Sequence, residues 1–195
     1  MMNIIYLHGF QSNSLSIKGQ YLKQYFASNS SVQVHLPDLN QPPKVVMQSM
    51  SELIDSLEQV ALVGSSLGGF YATQLVAKHG VPAVLINPAM RPWQLFRKLF
   101  TNEKMPYQVT EDWCLNDSQL DHLAQMAVPF VQDADKILVL LQQGDEILDY
   151  REAQRYYSGG LHQALLITES EGNHAMENFA EKIPMSFRFL SDCIK

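Results

Sequence analysis

The sequence predicts an α/β protein, a mostly parallel six-stranded sheet with helices on both faces. Three observations lead there. Short apolar runs rich in β-branched residues alternate with segments of helical period, the pattern of a parallel sheet buried on both sides. The chain has 195 residues, 46% hydrophobic and 17% charged, enough for one sizeable core and unlike a disordered composition. Finally, three glycines and two serines crowd what reads as a strand–helix junction in "VALVGSSLGGFYATQLV" (60–76). Glycine there costs about 1 kcal/mol relative to alanine, so something must approach the backbone closely.

Taken in order, "NIIYL" (3–7) and "VQVHL" (32–36) are the first two strands. Between them Ile17, Tyr21, Leu22, Tyr25 and Phe26 share one helical face. Val46, Met50, Leu53, Ile54 and Leu57 repeat that spacing before the third strand, "VALV" (60–63). The next helix runs from Ser66 to near His79, with Gly80 as its cap. The remaining strands are "AVLI" (83–86), "KILVLL" (136–141) and "QALLIT" (163–168). Met176, Phe179, Ala180, Ile183, Phe187 and Leu190 mark a last helix, which Pro184 should kink or split.

One region breaks the rhythm. Residues 88–135 separate consecutive strands by far more chain than a helical crossover needs, and they are rich in aromatic side chains such as Trp93, Phe96, Phe100, Tyr107 and Trp113. The segment reads as a helical insertion after the fourth strand within one domain spanning 1–195. It either roofs a site, as long active-site loops do, or is an elaborated crossover packed on the sheet.

Net charge is −6 with a pI near 5.4, and the basic residues are scattered. That argues against a nucleic-acid partner and against an electrostatic hold on lipid. The start "MMNIIYLHGF" has no basic n-region, and no run reaches the ~18 apolar residues of a membrane span. Cys114 and Cys193 lack metal-ligand spacing and read as reduced thiols, so a cytoplasmic location is expected. No HExxH or comparable metal-binding pattern is present.

"GSSLG", Gly64 to Gly68, matches G-x-S-x-G where its mechanism requires it, after a strand and opening a helix. The turn lifts a serine oxygen above the sheet edge, and side chains at Gly64 and Gly68 would collide with the neighbouring strand and helix. Ser66 is thus the candidate nucleophile. Its base and orienting acid must arrive from loops at the carboxyl ends of strands. His174 follows the last strand and fits as base. His79 and His162 fall at the opposite end, His35 precedes the serine in a strand, and His122 lies in the insertion. For the acid, "GDEILDYREA" offers Asp145 first at the strand exit, with Asp149 the rival; Asp149 with Glu152 also forms a helix-capping pattern, and Glu146 should point away from Asp145. The order Ser66, Asp145, His174 is that of the hydrolases built on parallel sheets. Oxyanion donors would be the backbone N–H groups of Leu67, at the helix start, and Phe10, in "HGF" after the first strand. Gly9 would permit a sharp turn, and His8 either anchors that loop or is a buried structural histidine.

Together these stretches resemble an α/β-hydrolase in a compact form lacking the fold's first two strands. More closely, the chain is similar to small bacterial esterases of the YqiA type. The likeness is carried by "YLHGF" with Ser12, Ser16 and Lys18 after it (6–18), "VGSSLGGFYAT" (63–73), "NPAMRP" (87–92), "LLQQGDEILDYR" (140–151) and "EGNHA" (171–175). It implies Ser66 as nucleophile, Asp145 as acid, His174 as base, an oxyanion hole of Phe10 and Leu67, and action on carboxylic esters or thioesters without a cofactor. The aromatic insertion suggests an apolar pocket for medium or long acyl chains. An amide or C–C hydrolase with the same triad, or a non-catalytic ligand-binding protein on this scaffold, are the rivals. Arg91 either grips an anionic substrate group or anchors the insertion.

Overall fold

The computed structural model describes residues 1–100, 105–160 and 162–194; residues 101–104 of the insertion lie outside them. Strands β1 (Met2–Leu7), β2 (Val32–His35), β3 (Val60–Ser65), β4 (Ala83–Ile86), β7 (Ile137–Gln142) and β8 (Leu165–Glu169) form one sheet in the order β2-β1-β3-β4-β7-β8. Every pairing in that sheet is parallel. The central strands β1, β3, β4 and β7 are buried along their whole length, so their side chains alternate between two cores.

On one face Ile5, Leu7, Leu62, Leu85 and Val139 meet α2 (Pro43–Asp55), α3 (Leu67–His79), α5 (Asp117–Met126) and α6 (Tyr150–Tyr157). On the other, Ile4, Tyr6, Val63, Ile86 and Leu140 meet α1 (Ile17–Tyr25) and α7 (Phe179–Ile194). α3 ends at Gly80, whose φ of 65° lets its N–H reach back to Val76 O.

Two details depart from the periodicity. In α1, Leu22 and the adjoining Phe26 are buried but Ile17 and Tyr25 are exposed, because the helix presents only a narrow stripe beside α7. Helix α7 runs unbroken through Pro184. That proline lies on the exposed face, where the carbonyl it leaves unpartnered, of exposed Ala180, meets water rather than core.

The segment after β4 holds α4 (Pro92–Leu99), an antiparallel ribbon of β5 (Tyr107–Thr110) and β6 (Trp113–Leu115), and α5. The ribbon was not expected from sequence. α4 packs on α5, and α5 on α2.

Candidate active site

The chain leaves β1 toward β2 on one side and β3 toward β4 on the other, with α1 and α3 on opposite faces. The carboxyl ends of β1 and β3 therefore flank a crevice, the usual ligand position in open parallel sheets. Ser66 sits at the end of β3, and the loop from His8 to Phe10 at the end of β1.

Ser66 has φ 54° and ψ −118°, a backbone state costing a non-glycine residue of order 1–3 kcal/mol. Its surroundings fix it there. The Ser66 N–H donates to Ile86 O, and Ser66 O accepts from the N–H groups of Gly69, Phe70 and Ala89. The flanking glycines answer to close approach. A Cβ on Gly68 would lie 2.0 Å from Leu7 O, and one on Gly64 2.5 Å from Gly68 O. Helix α3 can start this near the sheet only with hydrogen at both places.

His174 lies between β8 and α7. Its Nε2 is 3.0 Å from Ser66 Oγ and its Nδ1 2.8 Å from Asp145 Oδ2. The Asp145 side chain is 2% exposed, and its other oxygen accepts from the N–H groups of Ile147 and Leu148 at 2.9 and 2.8 Å. With Nδ1–H donating to Asp145, the lone pair of Nε2 faces the Ser66 hydroxyl. Asp149 instead caps α6, accepting from the Arg151 N–H at 3.0 Å. Glu146 does not point away: it accepts the His174 backbone N–H at 3.0 Å, and that bond chiefly holds its carboxyl below the usual range.

Further residues hold the His174 loop that the sequence did not single out. Buried Asn87, at the end of β4, donates through Nδ2 to the carbonyls of Asn173 and His174 at 3.1 and 3.2 Å and accepts the Gln142 N–H at 3.0 Å. Gln142 Oε1 accepts the Asn173 N–H at 2.9 Å. The loops carrying Asp145 and His174 meet glycine to glycine, since a Cβ on Gly144 would be 2.2 Å from Gly172 O. The readable signal was the asparagine placed directly after a buried strand, in "NPAMRP".

The loop after β1 lies against Ser66. A Cβ on Gly9 would stand 3.2 Å from Ser66 Cβ, so this glycine supplies room; the positive φ falls instead at Gln11 (58°). His8 is buried, with Nδ1 2.9 Å from Gly9 O and Nε2 accepting the Leu39 N–H at 2.9 Å. With Asp38 Oδ1 3.3 Å from Nε2 as well, these partners anchor the loop that carries Phe10. Leu67 is the first residue of α3, so its N–H has no acceptor within the helix. The Phe10 ring meets Phe96, Phe100 and Tyr107 of the insertion at 4.5, 6.0 and 6.1 Å, and Gln11 donates to the Tyr107 hydroxyl.

His35 pairs with Asn3, and His79 with Ser51 and Asp55. Arg91 pairs with Glu152. Among the described residues no group of three or more His, Cys, Asp or Glu side chains could hold a metal ion, and no helix is long and apolar enough to cross a membrane. Both cysteines are free.

A cleft of about 510 Å³ lies over Ser66 and His174, walled by residues 9–13 and 15–18. Another cavity, of about 310 Å³, runs from Ala89 past Leu95, Ile147 and Leu148. The insertion's aromatic residues do not line the first cleft; Phe96 and Trp113 are buried in the core.

The model of the family described as "Uncharacterised protein family (UPF0227)" matches residues 3–191. A UPF0227 protein of Citrobacter koseri is 26% identical over 185 residues, 91% of this chain and 92% of its own. Among solved structures, a putative hydrolase from Agrobacterium vitis S4 superposes with a TM-score of 0.77 at 16% identity, over 99% of this chain and 88% of that one. Mouse alpha/beta hydrolase domain-containing protein 10 gives 0.74 at 15%, covering 99% and 90%. Est1E from Butyrivibrio proteoclasticus, solved also with ferulic acid bound, gives 0.72 at 14%, covering 99% and 88%. These likenesses, with the six-stranded parallel sheet, make the fold that of the α/β hydrolases.

Proposed function

The chain belongs to the UPF0227 family, and from its α/β-hydrolase fold and the row of hydrogen bonds from Ser66 through His174 to Asp145 we propose that it is a serine hydrolase of carboxylic esters or thioesters. That row is the observation carrying the reading, because a serine hydroxyl is a poor nucleophile until a positioned base takes its proton.

Ser66 Oγ attacks the ester carbonyl while His174 Nε2 takes its proton. Asp145 keeps the proton of the neutral imidazole on Nδ1 and stabilises the imidazolium that forms. The N–H groups of Phe10 and Leu67 receive the oxyanion, each such donor contributing on the order of 10²–10³ in rate. His174 then protonates the departing alcohol or thiol, leaving an acyl group on Ser66. A water molecule, deprotonated by His174, attacks that acyl group, and the acid leaves as Ser66 regains its proton.

The cavity beside Ala89 sets Leu95, Ile147 and Leu148 among Arg91, Lys98, Asp149 and Glu152, a mixed lining that supports a short apolar stretch for an acyl chain rather than a long one. Contact of Phe10 with Phe96 and Phe100 supports reading 88–135 as an elaborated crossover that packs on the sheet and backs the Phe10 loop. Two free thiols support a reducing compartment such as the cytoplasm.

Chromogenic acyl esters from acetate to palmitate, given to the wild type and to Ser66→Ala, test the proposal. Turnover by the wild type that falls to background in the variant is expected. Equal rates from both proteins refute it, as does a wild type that neither turns over an ester nor is labelled by a serine-directed phosphonate.

A further inference from the structure

We propose that Lys18 is the specificity residue of the Ser66 cleft, recognising a carboxylate or phosphate that the substrate carries apart from the bond being cleaved. The inference deepens the ester-hydrolase reading and rests on it.

The charge distribution in the cleft is one-sided. Its wall opposite Ser66 and His174 is made by the loop after β1 and the first turn of α1, including Gln11, Ser12, Asn13 and Ser16. Lys18 is the one lysine or arginine lining the cleft, and none of the lining residues is Asp or Glu. In a chain of net charge −6, the catalytic cleft thus holds a cation with no carboxylate beside it.

Lys18 is also unusual among its own kind. Three lysines of the described residues are partly buried: Lys18, Lys136 and Lys182. Lys136 pairs with Asp133, and Lys182 with Glu169. Lys18 has no such partner, and burial alone lowers its pKa. Desolvating an ammonium without compensation is unfavourable, and an incoming anion would supply what is missing.

The backbone beneath it is held firmly. Ser16 caps α1 by accepting the Gly19 N–H, and a Cβ on Gly19 would lie 3.1 Å from the Tyr6 ring. The polar groups of Gln11, Ser12, Asn13 and Ser16 would complete the anion's hydration on the same wall. The anion sits on either side of the ester bond, as a carboxylate at the far end of the acyl chain or a phosphate on the leaving alcohol.

Two matched pairs separate these sources: p-nitrophenyl glutarate monoester against p-nitrophenyl pentanoate, and 1-butyrylglycerol 3-phosphate against 1-butyrylglycerol. The readout is the charged-to-neutral ratio of kcat/KM for the wild type, Lys18→Met and Lys18→Arg. In one pair the ratio should fall about tenfold or more in Lys18→Met, recover in Lys18→Arg, and decline with salt in the wild type. The pair that responds identifies the position of the anion. Ratios changing less than about twofold in both pairs overturn the proposal, as does a Lys18→Arg protein no better than Lys18→Met. A wild type that hydrolyses none of these esters counts against the esterase reading, which the phosphonate label then settles, and not against the anion site. Calorimetric titration of Ser66→Ala, with and without Lys18→Met, by glutarate and by glycerol 3-phosphate then decides. Binding lost with Lys18→Met supports the anion site; equal binding, or none, overturns it.

Discussion

Replacing Asp145 by asparagine changes no shape and should still remove most activity, for a reason written in the hydrogen bonds around it. One carboxylate oxygen accepts from the N–H groups of Ile147 and Leu148 at 2.9 and 2.8 Å, and the other faces His174 Nδ1 at 2.8 Å. In Asp145→Asn, an amide that keeps its oxygen on the two peptide donors aims its NH₂ at Nδ1. The imidazole proton must then move to Nε2, where it points at Ser66 Oγ 3.0 Å away, and the serine proton has no acceptor. Turning the amide over restores the working tautomer but sets NH₂ against two N–H groups. Leaving those donors unmet costs roughly 1–3 kcal/mol each, so about 2–6 kcal/mol together. At about 1.4 kcal/mol per factor of ten, kcat/KM falls by about 30-fold to 10⁴-fold. The assay is kcat/KM on the best chromogenic ester, with a thermal melt in parallel. The melting temperature should move by only a few degrees, because the bonds to Ile147 and Leu148 survive. A loss below about threefold, or an equal loss in Asp149→Asn, would refute the reasoning.

Gly68→Ala places a methyl 2.0 Å from Leu7 O and 2.6 Å from His8 O, both backbone, and should cost more than about 4 kcal/mol or abolish folding. Gly80→Ala, whose nearest neighbour would be 3.6 Å away, meets only the left-handed backbone penalty of about 1 kcal/mol; equal losses in thermal melts would contradict this ranking. The Lys182 ammonium above all, then Gln142 and Asn178, push the Glu169 carboxyl from 4.5 down to about 2. Its pKa is lower in the folded chain, so its stabilisation is present above about pH 4.5 and lost as pH falls through about 2. The gap in melting temperature between the wild type and Glu169→Gln should therefore be widest near neutrality and close on acidification; a gap independent of pH would count against the ion pair.

The strand pattern was legible because central strands of a parallel sheet are buried on both faces and read as unbroken apolar runs. The turn at Ser66 was legible because its constraint is local: a strand, a tight turn and a helix leave glycines at fixed spacing. The support of His174 was not, since Asn87 and His174 lie 87 residues apart and only the sheet brings them together. Glu146 was misjudged for a related reason. Side-chain alternation describes a strand, whereas the residues after β7 turn on the hydrogen bonds that Asp145 accepts. The exposed face of α1 was misread because periodicity locates an apolar stripe without saying how wide a stripe its neighbour can cover; the helix is not split at Pro184 because that proline falls on the exposed face, where the carbonyl it leaves unpartnered meets water. The β5–β6 ribbon is too short for a periodic signal.

Asn87 marks a seam. Before it lies β4; after it begins the long segment that returns to the sheet as β7. Its own N–H donates to Leu140 O, and its side chain joins the end of β7, at Gln142, to the loop that carries Asn173 and His174. The point where the segment departs is thus stapled to the carboxyl end of β7 and to the His174 loop, while its return, at Ile137, lies at the opposite edge of the sheet beside Ala83. What lies between reaches the core through Phe96, Trp113, Leu120 and Leu123, so its exposed residues are the ones that can change while the Ser66–His174–Asp145 geometry stays put. In engineering terms the scaffold has a socket, and the exposed residues between Asn87 and β7 are the interchangeable part of its fitting.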